Sequence, residues 1–513
     1  MPLTIDCVSL PGMLESEHRA ITILKKGAAM GVRYREYNPE QTHFAVIDPK
    51  EIKDHNPLLL AIDSFVEEHV SIEPFSAKIS NQLSGAPAVH PKMMLKILFY
   101  SYAKGIYSSR EMEDRLRWDP NYIYLSANQK VDHSTICKFI LQYEKEIKDL
   151  FSRLLYVMAK LGYVTMEFVA VDGTKIRANA GQKFTGDIRE FKEKRKRIEK
   201  KIEQILDHTL DEELSEKYRV RKRNKLDSLQ RQREKIDAFL AALSAQEDKE
   251  EIAQRKVSLT DPDARVVKDQ DSKYMGYNCQ VSIDEEAEVI IGDEVFNEAS
   301  DKGLLEPMAE EIRKRTGDDL EDTEIAFDAG YFSSENVEYC HAQKLNAYLP
   351  EGRGESGVKR RQSDTIESRD CKLEIEGEMR RLICPGGQMM EGREEKKDRG
   401  YYVYRFYAKL EGCEGCAVRD RCYRNIRRHK RFSVKKEYFD TLPLREQMRE
   451  KLSSPKGKQR MADRSCIVEH IFGEIKELFK FRRFLHRGLQ KVRLVWTMIC
   501  MAYNFRKLAR LAY

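Results

Sequence analysis

No stretch of the 513 residues approaches the roughly 20 consecutive apolar positions that a bilayer-spanning helix needs, so no membrane span is expected. The opening residues, MPLTIDCVSLPG, lack a basic region followed by an apolar one, so no secretory signal is expected and the setting is cytoplasmic. Without such a signal the 11 cysteines do not read as a disulfide framework. Cys7, Cys137, Cys279, Cys340, Cys371, Cys466 and Cys500 are scattered and are expected as reduced, mostly small core residues. Disorder is excluded too: 41% hydrophobic and 9% aromatic residues beside 34% charged ones describe a globular chain with highly charged segments. Its length suffices for roughly two to four domains and at least one substantial core.

The net charge of +6 is unevenly spread. Residues 419–513 hold 26 Lys and Arg against 9 Asp and Glu, a local +17, which leaves −11 on the remainder. RNIRRHKR (424–431) and FKFRRFLHR (479–487) concentrate that charge, the latter with aromatics interleaved. A localised basic region is the footprint of a nucleic-acid-binding protein; the plainer reading is a solvated helix surface.

Two stretches repeat one design. In FVAVDGTKIRA (168–178) an apolar run of β-formers leads into Asp172 and then Gly173, which reads as a buried strand ending in a turn. In EIAFDAGYFSSENVEYC (324–340) Asp328 follows a short apolar run, Gly330 allows a turn, and Ser333 or Ser334 can cap a helix starting near Glu335. A lone strand-end Asp is most simply a turn cap. Two on neighbouring strands would converge at one sheet edge, where divalent cations relieve their repulsion. A third acid is expected from SCIVEHIFGEIKELFKFRRF (465–484), an apolar helical stripe with Glu469 and Lys476 at its border and Gly473 between them, bare enough for another backbone or DNA to approach.

The pieces AVDGTKIRA, FDAGYF, VEHIFGEIK and the run RRFLHRGLQKVR to MAYNFRKLARL together resemble bacterial insertion-sequence transposases of the DDE type. Upstream, HPKMMLKILFYSYAKGIYSSREMEDRL and DHSTICKFI resemble the N-terminal helical domain of the same transposases. The resemblance implies a ribonuclease-H-like α/β core in which Asp172, Asp328 and Glu469 are the catalytic acids and hold Mg²⁺ or Mn²⁺, with Glu474 as an alternative third acid. In the related signature (Tyr, two residues, Arg, three residues, Glu, six residues, Lys) the Glu469 to Lys476 spacing is kept. The Tyr position is Ala462 and the Arg position is Ser465, with Arg464 one residue off register.

The expected organisation is an N-terminal extension (1–57), an all-α DNA-binding domain (58–162), and a catalytic core from 163–182, 259–350 and 455–513. A charged helical hairpin (183–258, joined near Asp211) and a Cys-rich basic insertion (351–454) interrupt it. Helix starts are read at Pro91, at a capping box from Ser108 to Glu111, and at Ser134 or Thr135 before ICKFILQYEKEI. The hairpin is read for DNA, a second protomer or plain solvent. Residues 261–268, Asp271 and Lys273 are placed along a DNA channel. Within the insertion Cys384, Cys413, Cys416 and Cys422 supply a CxxC and two further thiols, enough for a structural, ribbon-like Zn²⁺ site; reduced thiols at a turn are the alternative.

The implied activity is binding of terminal inverted repeats, cleavage to 3′-OH ends and two-metal transesterification into target double-stranded DNA, by a homodimer in a synaptic complex associated with the nucleoid. Lys476, Arg464, Arg482, Arg483, Arg487 and Lys491 are the expected DNA contacts. The competing readings are a non-catalytic repressor derived from a transposase and a junction-type nuclease on the same fold.

Overall fold

A computed structural model describes residues 48–79, 87–181, 184–207, 215–244, 256–269, 272–351, 366–397, 400–409, 411–422 and 430–512. Residues 1–47 of the expected extension, the hairpin joint near Asp211, Asp271 and most of the basic run 424–431 lie outside the described residues.

The N-terminal part is helical: α1 (Pro57–His69), α2 (Pro91–Ala103), α3 (Ser109–Trp118), α4 (His133–Gln142) and α5 (Glu144–Lys160). Proline opens α1 and α2, where its fixed φ and missing N–H cost nothing. The caps differ from expectation. Ser108 makes no side-chain capping bond. The cap of α4 is Asp132, whose Oδ1 accepts from Ser134 N (2.9 Å) and Thr135 N (3.0 Å), since a carboxylate suits a helix N-terminus better than a hydroxyl. ICKFILQYEKEI is two helices, broken at Tyr143, whose hydroxyl donates to Phe75 O at 2.9 Å.

The central sheet contains β1 (Phe168–Arg177), β2 (Arg265–Asp269), β3 (Ser272–Asp284), β4 (Val289–Phe296), β5 (Glu324–Ala326) and β6 (Asn346–Tyr348). β3 pairs antiparallel with β1 along one edge, and its other edge is shared by β2 and β4. β1 lies parallel to β5, and β5 to β6, so the order from β4 is β4–β3–β1–β5–β6. Contrary to the sequence reading, β1 does not turn at Gly173 but continues to Arg177, with Gly173 opposite Gln280. A Cβ at Gly173 would come within 2.0 Å of Gln280 Nε2, so the glycine makes room for a neighbouring side chain rather than for a bend. Both faces of β3 are buried, Asn278, Gln280, Ser282 and Asp284 as fully as Tyr277, Cys279, Val281 and Ile283.

After β1, α6 (Ile188–Asp207) and α7 (Glu216–Ser244) lie side by side, with Phe191 against Phe239 (ring centroids 5.3 Å apart) in a small core of their own. The sheet is flanked by α8 (Leu305–Thr316) and α9 (Ser334–Ala342), the latter capped by Ser333, which accepts from Asn336 N at 3.1 Å. The Cys-rich segment forms two three-stranded sheets: β7 (Lys372–Glu376), β8 (Met379–Ile383) and β9 (Met389–Glu391), then β10 (Arg393–Lys396), β11 (Tyr402–Tyr407) and β12 (Arg431–Lys435). Leu382, Met390, Phe406, Phe432 and Phe439 give it a separate core.

The chain closes with α10 (Leu442–Ser453), α11 (Pro455–Gly473) and α12 (Leu489–Ala512). The helix expected over 465–484 begins ten residues earlier and passes at Glu474–Leu478 into a π turn, with Phe479 N bonded to Glu474 O at 3.0 Å. That wider turn takes Lys476 out of α-helical register with Glu469. Helix α12 is buried along most of its length and joins the N-terminal helices to the sheet in one hydrophobic core. Phe505 packs on Phe65 and Phe99 at 5.3 and 5.2 Å, and Trp496 Nε1 donates to Gln280 O at 3.0 Å. Among the described residues no helix is long and apolar enough to cross a membrane.

Buried Asn504 satisfies both backbone groups of Ile290, accepting from its N–H at 3.0 Å and donating to its carbonyl at 2.8 Å. Asn504→Leu strands both, and an unpaired buried group costs about 1–3 kcal/mol. The variant should therefore unfold at clearly lower urea than the parent; an unchanged midpoint would show that Asn504 does not couple α12 to β4.

Candidate active site

Asp172 sits within β1, opposite Val281, and its Oδ1 accepts from Gly173 N at 2.7 Å. Asp328 lies two residues beyond β5 and caps a short 3₁₀ turn, accepting from Gly330 N at 3.3 Å. Because β1 and β5 are adjacent and parallel, the two carboxylates leave the sheet side by side.

The group between them is Arg464 of α11. Its Nη2 is 2.6 Å from Asp172 Oδ2 and its Nη1 3.9 Å from Asp328 Oδ1. Arg464 is 5% exposed, so the residue expected to meet DNA is instead spent on the two acids. At 2.6 Å Nη2 forms a close ion pair with Asp172, while Nε donates to the Val171 carbonyl at 3.4 Å. Burial lifts the Asp172 carboxyl from an ordinary 3.8 to about 6, against the pull of Arg464 and the Gly173 N–H, with Asp328 and Asp301 adding to the rise.

Asp301, which the sequence reading missed, is the third carboxylate here. Its Oδ1 accepts from Lys175 Nζ (2.9 Å), Asn278 Nδ2 (2.6 Å) and Gln280 Nε2 (3.0 Å). A Cβ on Gly330 would lie 3.2 Å from Asp301 Oδ2 and 3.5 Å from Asp328 Oδ2, so the glycine keeps open the space between two carboxylate oxygens. Tyr331 donates its buried hydroxyl to Gln280 Oε1, closing the network from below. The available signal was the same order of strand then Asp, but with four residues between the end of β4 and Asp301.

Glu469 is exposed on α11, five residues past Arg464 and so about 140° around the helix from it. The structure does not bring it to the two aspartates. Glu474, the alternative third acid, is buried in a pair with Arg510 at 2.8 Å. Lys476 is half-buried, and Arg482, Arg483, Arg487 and Lys491 are exposed. Arg483 and Arg487 are tied to Asn179, and Arg482 to Glu477. Gly473 has nothing within 4 Å of a would-be Cβ, so the helix is open there.

Cys384, Cys413, Cys416 and Cys422 line one cavity of about 20 Å³, room for about one water-sized sphere, beneath Phe432 and Val418. Gln388 N donates to Cys384 Sγ at 3.3 Å. Among the described residues no three or more His, Cys, Asp or Glu side chains are gathered closely enough to hold a metal as they stand, at the thiols or at the acids.

Residues 383–509 match the family model described as a transposase DDE domain, and residues 46–142 match the transposase domain DUF772. Together these indicate an insertion-sequence DDE transposase. No curated protein and no solved structure matches the chain. A transposase takes DNA as its substrate, and transposases of the DDE family typically use a divalent metal. The DDE match covers Arg464, Glu469 and the four cysteines, while Asp172, Asp301 and Asp328 fall before it.

In metal-free transposase the sign of the Asp172 shift is set. The folded state keeps its proton up to about pH 6 and the unfolded chain only to about 4, so stability contributed there is present at low pH and lost as pH rises between them, about 3 kcal/mol in all. Asp172→Asn should therefore raise the urea midpoint at pH 7.5 and leave it unchanged at pH 4; equal midpoints at both would mean that Arg464 fully offsets the burial.

Proposed function

We propose that this transposase cuts DNA at the terminal inverted repeats of its element and joins the freed 3′-OH ends to target DNA. The observation that carries the reading is the shared Arg464 between Asp172 and Asp328 on adjacent parallel strands. The order β4–β3–β1–β5–β6, with a hairpin at one side and three parallel strands at the other, supports a ribonuclease-H-like core.

The donors fit Mg²⁺ or Mn²⁺: hard carboxylate oxygens of Asp172 and Asp328, with the space at Gly330 left open. Bound there, the ions supply Lewis-acid activation of the attacking oxygen and stabilisation of the leaving one. The chain's own part is to position. Arg464 holds both acids at the sheet edge. Lys476, Arg482, Arg483, Arg487 and Lys491 neutralise the backbone of the bound duplex. The third ligand is Glu469 by the motif and Asp301 by geometry. A homodimer pairs two ends in the synaptic complex.

Divalent-dependent nicking of a terminal-repeat substrate should fall about a hundredfold or more in Asp172→Asn and Asp328→Asn while gel-shift binding persists. Between Glu469→Gln and Asp301→Asn, the variant that loses nicking to the same degree names the third acid. Undiminished cleavage in the two aspartate variants sinks the site; binding with no cleavage by the parent leaves a repressor.

The four thiols are proposed to close on one structural Zn²⁺. Support comes from their common cavity and from the small core beside them, which a tetrahedral metal would staple. Elemental analysis of purified chain should find about one zinc per chain, released on removal of Cys413 and Cys416; metal-free, fully folded protein would refute it.

A further inference from the structure

Beyond Asp301, on the side of the sheet where β1 outruns Asp172, the described residues line a groove of about 1660 Å³. It runs from Asn297 and Ser300, next to Asp301 in the chain, between the β2–β3 hairpin and the segment following β1. Five cations border it, Arg177, Lys256, Arg265, Lys273 and Arg483, against a single acid, Glu298. They come from separate parts of the chain, so the positive field belongs to the groove and not to one helix face.

Two aromatic rings sit among these charges. The Arg177 guanidinium lies 4.7 Å from the Tyr274 ring centroid, and Phe184 carries Lys194 Nζ at 4.9 Å. Guanidinium and ring planes are surfaces on which bases stack, while flanking cations follow a phosphate backbone. Such a groove favours unpaired bases, because in a duplex the faces that would stack on its rings are already stacked. A single strand can enter it, its phosphates toward Lys273 and Arg265 and its bases toward Arg177 and Tyr274.

We infer that this groove binds unpaired nucleotides, those of a DNA strand whose cut end lies at Asp172 and Asp328. The inference rests on the reading of the acids as the cleavage site, and it adds a substrate form: DNA frayed or single-stranded beside the cut.

The test uses the full chain in buffer without added Mg²⁺ or Mn²⁺, which withholds the ions needed for cleavage, and fluorescence anisotropy with a blunt duplex and with the same duplex bearing a short 3′ oligothymidine overhang. The overhang should bind about tenfold more tightly, the scale of one or two stacked bases. Lys273→Gln, at an exposed position, and Arg177→Gln should each weaken binding of the overhang substrate several-fold more than binding of the blunt duplex. The salt slope for the overhang substrate should fall by about 0.7 per lost single-strand phosphate contact. Equal affinity for the two substrates, or variants that weaken both alike, would overturn the inference. The outcomes separate the two readings: nicking without overhang preference removes the groove alone, whereas overhang preference without divalent-dependent nicking keeps the groove and removes the cleavage site.

Discussion

Two carboxylates brought side by side at a sheet edge repel, and the guanidinium of Arg464 makes their proximity tolerable. Helix α11 delivers it by spacing. Lys456 and Arg460 reach Glu324 at 2.8 Å each, Arg460 reaches Glu285 at 2.9 Å, and Arg464, four residues on, reaches Asp172 at 2.6 Å. A row of cations at helical period thus meets acids presented by β5, by the turn after β3 and by β1. Removing the last cation would leave the half-buried Asp172 carboxylate without its nearest charge partner, a worse state than either a paired acid or a neutral replacement.

Packing behind the site explains why it is rigid. Gly173 yields its side-chain volume to Gln280, and the Gln280 amide then ties Asn278, Asp301 and Tyr331 together. The backbone of that same residue is held by Trp496 of α12, which also carries Phe505 into the N-terminal helices. The acids are therefore mechanically continuous with the helices that match the second transposase domain, through one residue of β3 and one buried helix. Phe479 adds a second tie, its carbonyl accepting from Tyr107 at 2.8 Å just after the π turn.

Much of the architecture was legible in the chain. The short apolar runs before Asp172 and Asp328 and the N-terminal helices are written as local patterns, because residues repeat according to the face they bury. The neighbourhood of β1 and β5 was also anticipated. Less legible was Gly173, which looks like a turn in the sequence and acts as a space in the ladder, because its partner lies more than a hundred residues away. The π turn at Glu474–Leu478 was equally invisible, since no composition signal distinguishes it from continuing α-helix.

The amino-acid order by itself determined which segments become strands and helices, where basic charge accumulates, and that two aspartates follow buried strands, for each of these depends on neighbours within a few positions. Only the tertiary structure decided that Arg464 turns inward, that Asp301 joins the acids while Glu469 stays at the surface, and that cations from distant segments share one groove. The reason is physical: a side chain's partner across a sheet or between layers is chosen by how whole elements cross, and that angle is a property of the packed core rather than of any local run of residues.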